Sequence, residues 1–199
     1  MIRSFTLRFN ALILVGCLYA LPALGQPYTF ADVPWGTTRV RTRTLLQARG
    51  YTHTRTDGST DSYRGRLMSN PVLVYAEFGE TRGDLLKISV FLRTYDEGGG
   101  HVTRRVYLDL YSILVGRYGA SETDDRFCGY PYLEDSDCFS NWKNALNLDK
   151  VTWVAFWPKR DETNLDMEIS KNDAVAVYYE SPGWAAELAR RRAREVRDF

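Results

Sequence analysis

Hydrophobic and polar positions alternate with a period of two over residues 164–170, where Leu165, Met167 and Ile169 are interleaved with Asp166, Glu168 and Ser170. Such a period gives a strand one dry face and one wet face, as in an antiparallel sheet covered on a single side. Runs rich in β-branched and aromatic residues predict strands at 72–78 and 85–93, bounded by Asn70-Pro71, Gly79 and Gly83. Further strands are expected at 51–56, 62–68, 151–157 and 174–180 and around Trp142. A helical period replaces the alternation at Val106, Leu110, Ile113 and Leu114, with Thr103 placed to cap the start and Gly119 to end the helix. An earlier helix follows the turn Trp35-Gly36-Thr37-Thr38, carries a modest apolar stripe of Val40, Leu45 and Ala48, and stops at Gly50. Residues 184–199 read as a last helix with Ala185, Leu188, Ala189, Arg192 and Val196 on one side.

The resulting order is helix, four strands, helix, about four strands, helix. It predicts an α+β fold of two similar halves, each a helix packed on an antiparallel sheet of about four strands, plus a C-terminal helix. Leu45-Leu46-Gln47-Ala48-Arg49-Gly50-Tyr51 is echoed loosely by Leu114-Val115-Gly116-Arg117-Tyr118-Gly119, which points to an internal duplication. The expected boundaries are 26–97 and 98–182 for the halves, joined at Glu97-Gly98-Gly99-Gly100, and 183–199 for the amphipathic terminal helix.

Residues 1–25 are expected to be an export signal. Arg3 and Arg8 precede an apolar run from Ala11 to Leu24, and Ala23 and Gly25 supply small side chains before a cleavage point at Gln26. The run is shorter than the roughly 20 residues a membrane span needs, so no span is expected in the mature chain. Leu14-Val15-Gly16-Cys17 offers lipid anchoring through Cys17 as a minor alternative, although the apolar run continues past that cysteine. Export to the periplasm or beyond leaves Cys128 and Cys138, with nine residues between them, and an oxidising compartment favours their pairing as a structural disulfide over a redox pair. Losing Arg3 and Arg8 takes the 26 basic residues to 24 against 25 acidic, a balance that gives no reason to expect a nucleic acid partner.

A resemblance adds to this reading. Phe30-Ala31-Asp32-Val33-Pro34-Trp35-Gly36-Thr37, the helix ending in Gly50-Tyr51 and the two α-then-β blocks resemble small exported bacterial proteins with tandem helix-plus-antiparallel-sheet repeats, the architecture of β-lactamase inhibitory proteins. The likeness lies in element order over most of the mature chain. It implies a protein-binding sheet surface, and it assigns no functional residue.

Motifs for chemistry are sparse. His53 and His101 lie in different segments without the spacing of a helical zinc pair, and no G-x-S-x-G elbow is present. Asp57-Gly58-Ser59-Thr60-Asp61 begins like a calcium loop, but Ser62 replaces the glycine and Met68 the bidentate glutamate that such a loop requires. Glu134-Asp135-Ser136-Asp137 is a second acidic run, more in keeping with a solvated turn. Neither a resident metal nor a cofactor is expected. Asp166 and Glu168 share a strand face, the minimum for a paired-carboxylate hydrolase and equally the pattern of any half-exposed strand.

Aromatic density in the second half is the most informative feature. Trp142, Trp153, Phe156, Trp157, Tyr178 and Tyr179 sit in or beside predicted strands, and Trp153 and Trp157 share one strand face with Phe156 on the other. These tryptophans are either core or a platform, and Trp142, Trp153 and Trp157 are the candidate binding residues for a protein or glycan partner. The arginine-rich tail, Arg190, Arg191, Arg192, Arg194 and Arg197, invites an anionic surface, but Glu187, Glu195 and Asp198 dilute it. The function expected from the sequence is therefore a non-enzymatic exported protein that recognises a macromolecule through a sheet surface. The alternatives are an extracytoplasmic hydrolase or metal-dependent enzyme, and an envelope assembly factor whose basic tail makes the contact.

Overall fold

Backbone groups of a strand-rich chain need partners along both edges of each strand, and here one continuous ladder supplies them. The computed structural model describes residues 26–93 and 100–197. The expected export signal at 1–25 and most of the glycine hinge lie outside those residues. Helix α1 (Arg39–Ala48) precedes strands β1 (Thr52–Asp57), β2 (Thr60–Leu67), β3 (Asn70–Phe78) and β4 (Leu85–Arg93). Helix α2 (His101–Tyr118) is followed by β5 (Thr123–Cys128), the short helices α3 (Asp135–Ser140) and α4 (Trp142–Asn147), strands β6 (Val151–Phe156), β7 (Asn164–Ser170) and β8 (Ala174–Glu180), and α5 (Trp184–Arg197). All strand pairs are antiparallel and form a single eight-stranded sheet in the order β1-β2-β3-β4-β8-β7-β6-β5. The protein is α+β with its strands merged across the β4–β8 pair, where Val90 faces Val177.

Side chains on one face of this sheet point at the helices. Val72, Val74, Ala76 and Phe78 of β3, Ile88, Val90 and Leu92 of β4, Leu165, Met167 and Ile169 of β7, and Val175, Val177 and Tyr179 of β8 are all buried there. Helix α2 contributes Val106, Tyr107, Leu110, Leu114 and Tyr118. Ile113, expected in the same stripe, is 51% exposed, because the buried face runs through the two tyrosines instead. Thr103 does not cap the helix; it lies inside the first turn and its hydroxyl donates to Asp173 at 2.8 Å. Helix α1 ends as the sequence predicts: Gly50 adopts φ +86°, and the Gly50 and Tyr51 amides donate to the carbonyls of Gln47 and Leu46.

Residues 28–33 cross between the two helices on this face. Tyr28 meets Tyr118 edge-on at 5.1 Å, while Phe30 lies 5.3 Å from Tyr51 and 5.8 Å from Tyr179. Asp32 joins Arg49 at the end of α1 to Arg117 in the last turn of α2, and these two guanidiniums hold its carboxyl below the usual aspartate range.

Two sequence expectations change here. Trp142 starts helix α4 and is not in a strand; its indole N–H donates to Asp173 at 2.7 Å, and its ring packs so closely on Gly100 that a Cβ there would come within 2.2 Å of it. The fourth strand of the second group is β5, where the sequence pattern predicts no strand. This edge strand carries Asp124, Asp125 and Arg126 in succession, charges that hide the alternation while discouraging edge-to-edge association. A disulfide joins Cys128 at the end of β5 to Cys138 in α3, with Cα atoms 6.3 Å apart. Closing so short a loop contributes about 2–3 kcal/mol by restricting the unfolded chain. Among the described residues no helix is long and apolar enough to cross a membrane.

Candidate functional site

Since α1, α2 and residues 28–33 cover one face, the opposite face of the sheet is the one to examine for function. The strand registers arrange its side chains in rungs that cross the sheet. One rung reads Thr52, Arg64, Leu73, Phe91, Ala176, Glu168, Val154 and Asp125, from β1 to β5. The next reads Arg55, Ser62, Tyr75, Ser89, Tyr178, Asp166, Phe156 and Thr123. Both pass from an arginine, through aromatic and small residues, to a carboxylate on β7. The aromatic centre is ordered by contact: Phe91 stands edge-on to Tyr75 at 5.6 Å and to Tyr178 at 6.0 Å. Buried Ser89, Ala174 and Ala176 form a low floor beside these rings. Two depressions result. One, of about 480 Å³, lies between Tyr75, Ser89, Phe91 and Arg93. The other, of about 330 Å³, lies between Arg64, Pro71, Leu73 and Arg93, and Phe91 separates the two.

A third rung, Thr60, Glu77, Lys87, Glu180 and Asn164, has its two carboxylates paired with Lys87 and with Arg191 of α5. Lys87 bonds Glu180 at 2.9 Å, and its ammonium lies 4.9 Å from the ring centroids of both Tyr178 and Trp184. Helix α5 closes this end of the face. Its anchor is polar: buried Glu187 accepts from the Glu80 amide at 3.2 Å and from Arg190 and Arg191, and Arg191 reaches the Phe78 carbonyl at 2.9 Å and Glu77 at 3.4 Å. The stripe expected to dock the helix faces outward instead, with Val196 77% exposed. Arg194 pairs with Glu80. Three of the tail arginines are thus committed to carboxylates, which leaves little of the anionic-surface reading.

Charges at the open end of the face are not neutralised. Arg64 and Arg93 are exposed and join no ion pair among the described residues. Asp166 is half-buried, and its carboxylate accepts no hydrogen bond among the described residues. Burial, reinforced by the neighbouring charges of Glu180 and Glu168 against the pull of Lys87, pushes its pKa up to about 6. Glu168 is better provided, accepting from the Tyr178 hydroxyl at 2.7 Å. That bond and burial both keep the Tyr178 proton in place, burial being the larger cause.

An unpartnered carboxylate held this way works against folding at neutral pH, so Asp166→Asn is expected to stabilise the protein. A rise of about two pKa units corresponds to roughly 3 kcal/mol, which solvent access at a half-buried site reduces to about 1 kcal/mol. The gain is full at pH values above 6; below about 4 the aspartate is protonated in the folded and the unfolded chain alike, and variant and parent converge. Chemical denaturation at pH 7.5 and pH 4 measures both values.

The tryptophans expected to bind a partner lie elsewhere. Trp142, Trp153 and Trp157 are 1%, 5% and 4% exposed, beneath the helices and the Cys128–Cys138 loop, so none of them can meet a partner in the folded protein. Their bulk fills the wide gap between the sheet and α2. Phe156, on the other face of the same strand, is 43% exposed and belongs to the open surface. Asp57 and Asp61, ends of the calcium-like segment, sit on opposite faces: Asp61 is fully buried under α1 and Asp57 pairs with Arg55 at the surface. His53 is 3.8 Å from Asp61 on the helix-covered face, and the His101 ring lies tilted against Phe139 with centroids 5.6 Å apart. Among the described residues no group of three or more His, Cys, Asp or Glu side chains is placed to hold a metal ion.

Tyr178 belongs to the aromatic density of the second half, but Arg64, Tyr75, Phe91 and Arg93 are not singled out by the sequence pattern. The signal that locates them is the alternation in β4, where Lys87, Ser89, Phe91 and Arg93 are out of phase with Ile88, Val90 and Leu92, but only the strand pairing shows which neighbours they acquire. No protein-family model, curated protein or solved structure matches the chain.

Proposed function

We propose that this is an exported, non-enzymatic binding protein that recognises another macromolecule through the open face of its sheet. One observation carries the reading: an aromatic strip of Tyr75, Phe91 and Tyr178 is left uncovered between arginines and a half-buried carboxylate that have no ion-pair or hydrogen-bond partner, respectively, among the described residues. Folding alone gives no reason to keep Asp166 ionisable in that position, whereas a partner group that neutralises it does. The disulfide agrees with the oxidising compartment implied by the expected signal at 1–25. The strand order, which reads the same inward from either edge toward β4 and β8, agrees with two similar halves arisen by duplication.

Asp166 and Glu168 do stand side by side on one surface, as a hydrolase would require. They do so on an open sheet with free access for water, where recognition uses them better than general acid catalysis does.

Capture from envelope and secreted fractions tests the proposal, using the purified protein and its Phe91→Ala variant. Phe91→Ala is expected to lose the captured partner while remaining folded, and Ile113→Asp on the exposed side of α2 is expected to retain it. Capture that ignores Phe91→Ala and is lost with Ile113→Asp would move the site to the helices.

A further inference from the structure

Resting on that recognition reading, we propose that the open face takes a protein segment of mixed charge laid across the strands. Its carboxylate sits at Arg64 and Arg93, an apolar side chain lies on Phe91, and a cation sits at Asp166 and Glu168. A single rung supplies the geometry, because Arg64, Leu73, Phe91, Ala176 and Glu168 occupy adjacent strands β2, β3, β4, β8 and β7. With neighbouring strands about 4.8 Å apart, Arg64 and Glu168 are separated by roughly 19 Å, which an extended polypeptide spans in about six residues.

Polarity selects the class of partner. A uniform polyanion, whether nucleic acid, sulfated glycan or anionic membrane, gains at Arg64 and Arg93 but meets Asp166 and Glu168 a few strands away, and like charges at close range are strongly unfavourable. Uncharged sugar stacks on the rings and leaves both charged flanks unused. Only a polypeptide readily places opposite charges six residues apart with an apolar side chain between them. The rung of Glu77, Lys87 and Glu180 under α5 bounds such a segment on one side, since those charges already have partners within the fold.

The test uses four probes against the purified protein, followed by amide chemical-shift mapping and titration. They are a ten-residue peptide with two aspartates at one end, leucine and phenylalanine in the middle and two lysines at the other end; the same composition with its charges scrambled; a polyglutamate peptide; and a heparin hexasaccharide. The bipolar peptide is expected to bind about three- to tenfold more tightly than the scrambled one, as two exposed charge pairs allow, and to shift amides along the rung from Arg64 to Glu168. Arg64→Glu with Arg93→Glu is expected to abolish that preference. Equal binding of the scrambled peptide, or binding of polyglutamate or heparin as tight as that of the bipolar peptide, overturns the inference. So does concentration-dependent self-association that the same double substitution removes, because the occupant is then a second copy of this chain. Capture that depends on Phe91 but fails these charge tests overturns the inference and leaves the recognition reading standing; capture indifferent to Phe91 removes both.

Discussion

Trp153→Ala is expected to destabilise the protein by about 3–5 kcal/mol, the range for deleting a fully buried indole, and to lower Tm by roughly 10 °C or more for a domain of this size. The ring is 5% exposed and stands edge-on to Tyr107 of α2 at 5.2 Å. Arg104 and Arg126 lie over it at 5.4 Å and 5.9 Å, so it links α2, β5 and β6 in one cluster. Alanine would leave a cavity that the sheet cannot close, since Ala155 beside it offers no bulk. Phe91→Ala, by contrast, removes a ring from the uncovered face and should cost far less. Thermal melts of the two variants side by side measure the difference between the faces. Comparable losses would show that the open face is as much a part of the core as the covered one. Hydrogen exchange in Trp153→Ala should rise first in α2, which loses its main aromatic contact with the sheet.

That contrast shows what the sequence makes legible. Strands 72–78, 85–93 and 164–170 are readable because alternation or β-branched density sets the period locally, and each matches its strand to within two residues. The stop at Gly50, the facing of Trp153 and Trp157 together, and the pairing of Cys128 with Cys138 are local in the same sense. Which face is covered is not local. The alternation says that Trp153 and Phe156 point in opposite directions, but the helices come from elsewhere in the chain, and only their docking decides which direction is inside. Aromatic content alone therefore leaves Trp153 and Trp157 as either core or platform; their size is what bridges the sheet to α2. The open face escapes notice for the complementary reason. Arg64 on β2, Phe91 on β4 and Glu168 on β7 are distant in sequence and become neighbours only through the β4–β8 pairing, which merges two expected sheets into one. Helix α5 makes the same point, since its apolar stripe is exposed while Glu187, unremarkable in a charged tail, anchors it.

Asp61→Ala is expected to destabilise the protein by about 3 kcal/mol, the lower end for breaking a buried ion pair. The carboxylate has no solvent exposure, whereas the side chains of Arg39 and Arg43 are 33% and 37% exposed and can recover water when it is removed. The substitution deletes acceptors for Arg43 at 3.0 Å, the Thr56 hydroxyl at 2.7 Å and the Tyr63 hydroxyl at 3.3 Å, and so unpins α1 from β1 and β2. Burial by itself would raise the Asp61 pKa, but the Thr56 and Arg43 hydrogen bonds and the charges of Arg39 and Arg43 outweigh it and bring the pKa below the usual aspartate value. A carboxylate depressed on folding lends stability at pH values above its unfolded pKa and withdraws it as pH falls through the folded one. Asp32 and Glu187 are depressed in the same way. Asp166 acts in the opposite sense: its raised pKa gives stability that is complete below the unfolded value and lost as pH rises through about 6. Stability of the parent protein should therefore climb slightly from pH 7 toward pH 5 and fall steeply below pH 4. Asp61→Ala should keep the first limb and flatten the second, because a fully buried contributor to the acid loss is gone. Urea denaturation midpoints across that range measure the two limbs separately. An acid limb as steep in the variant as in the parent would show that Asp61 does not hold α1 to the sheet through its charge.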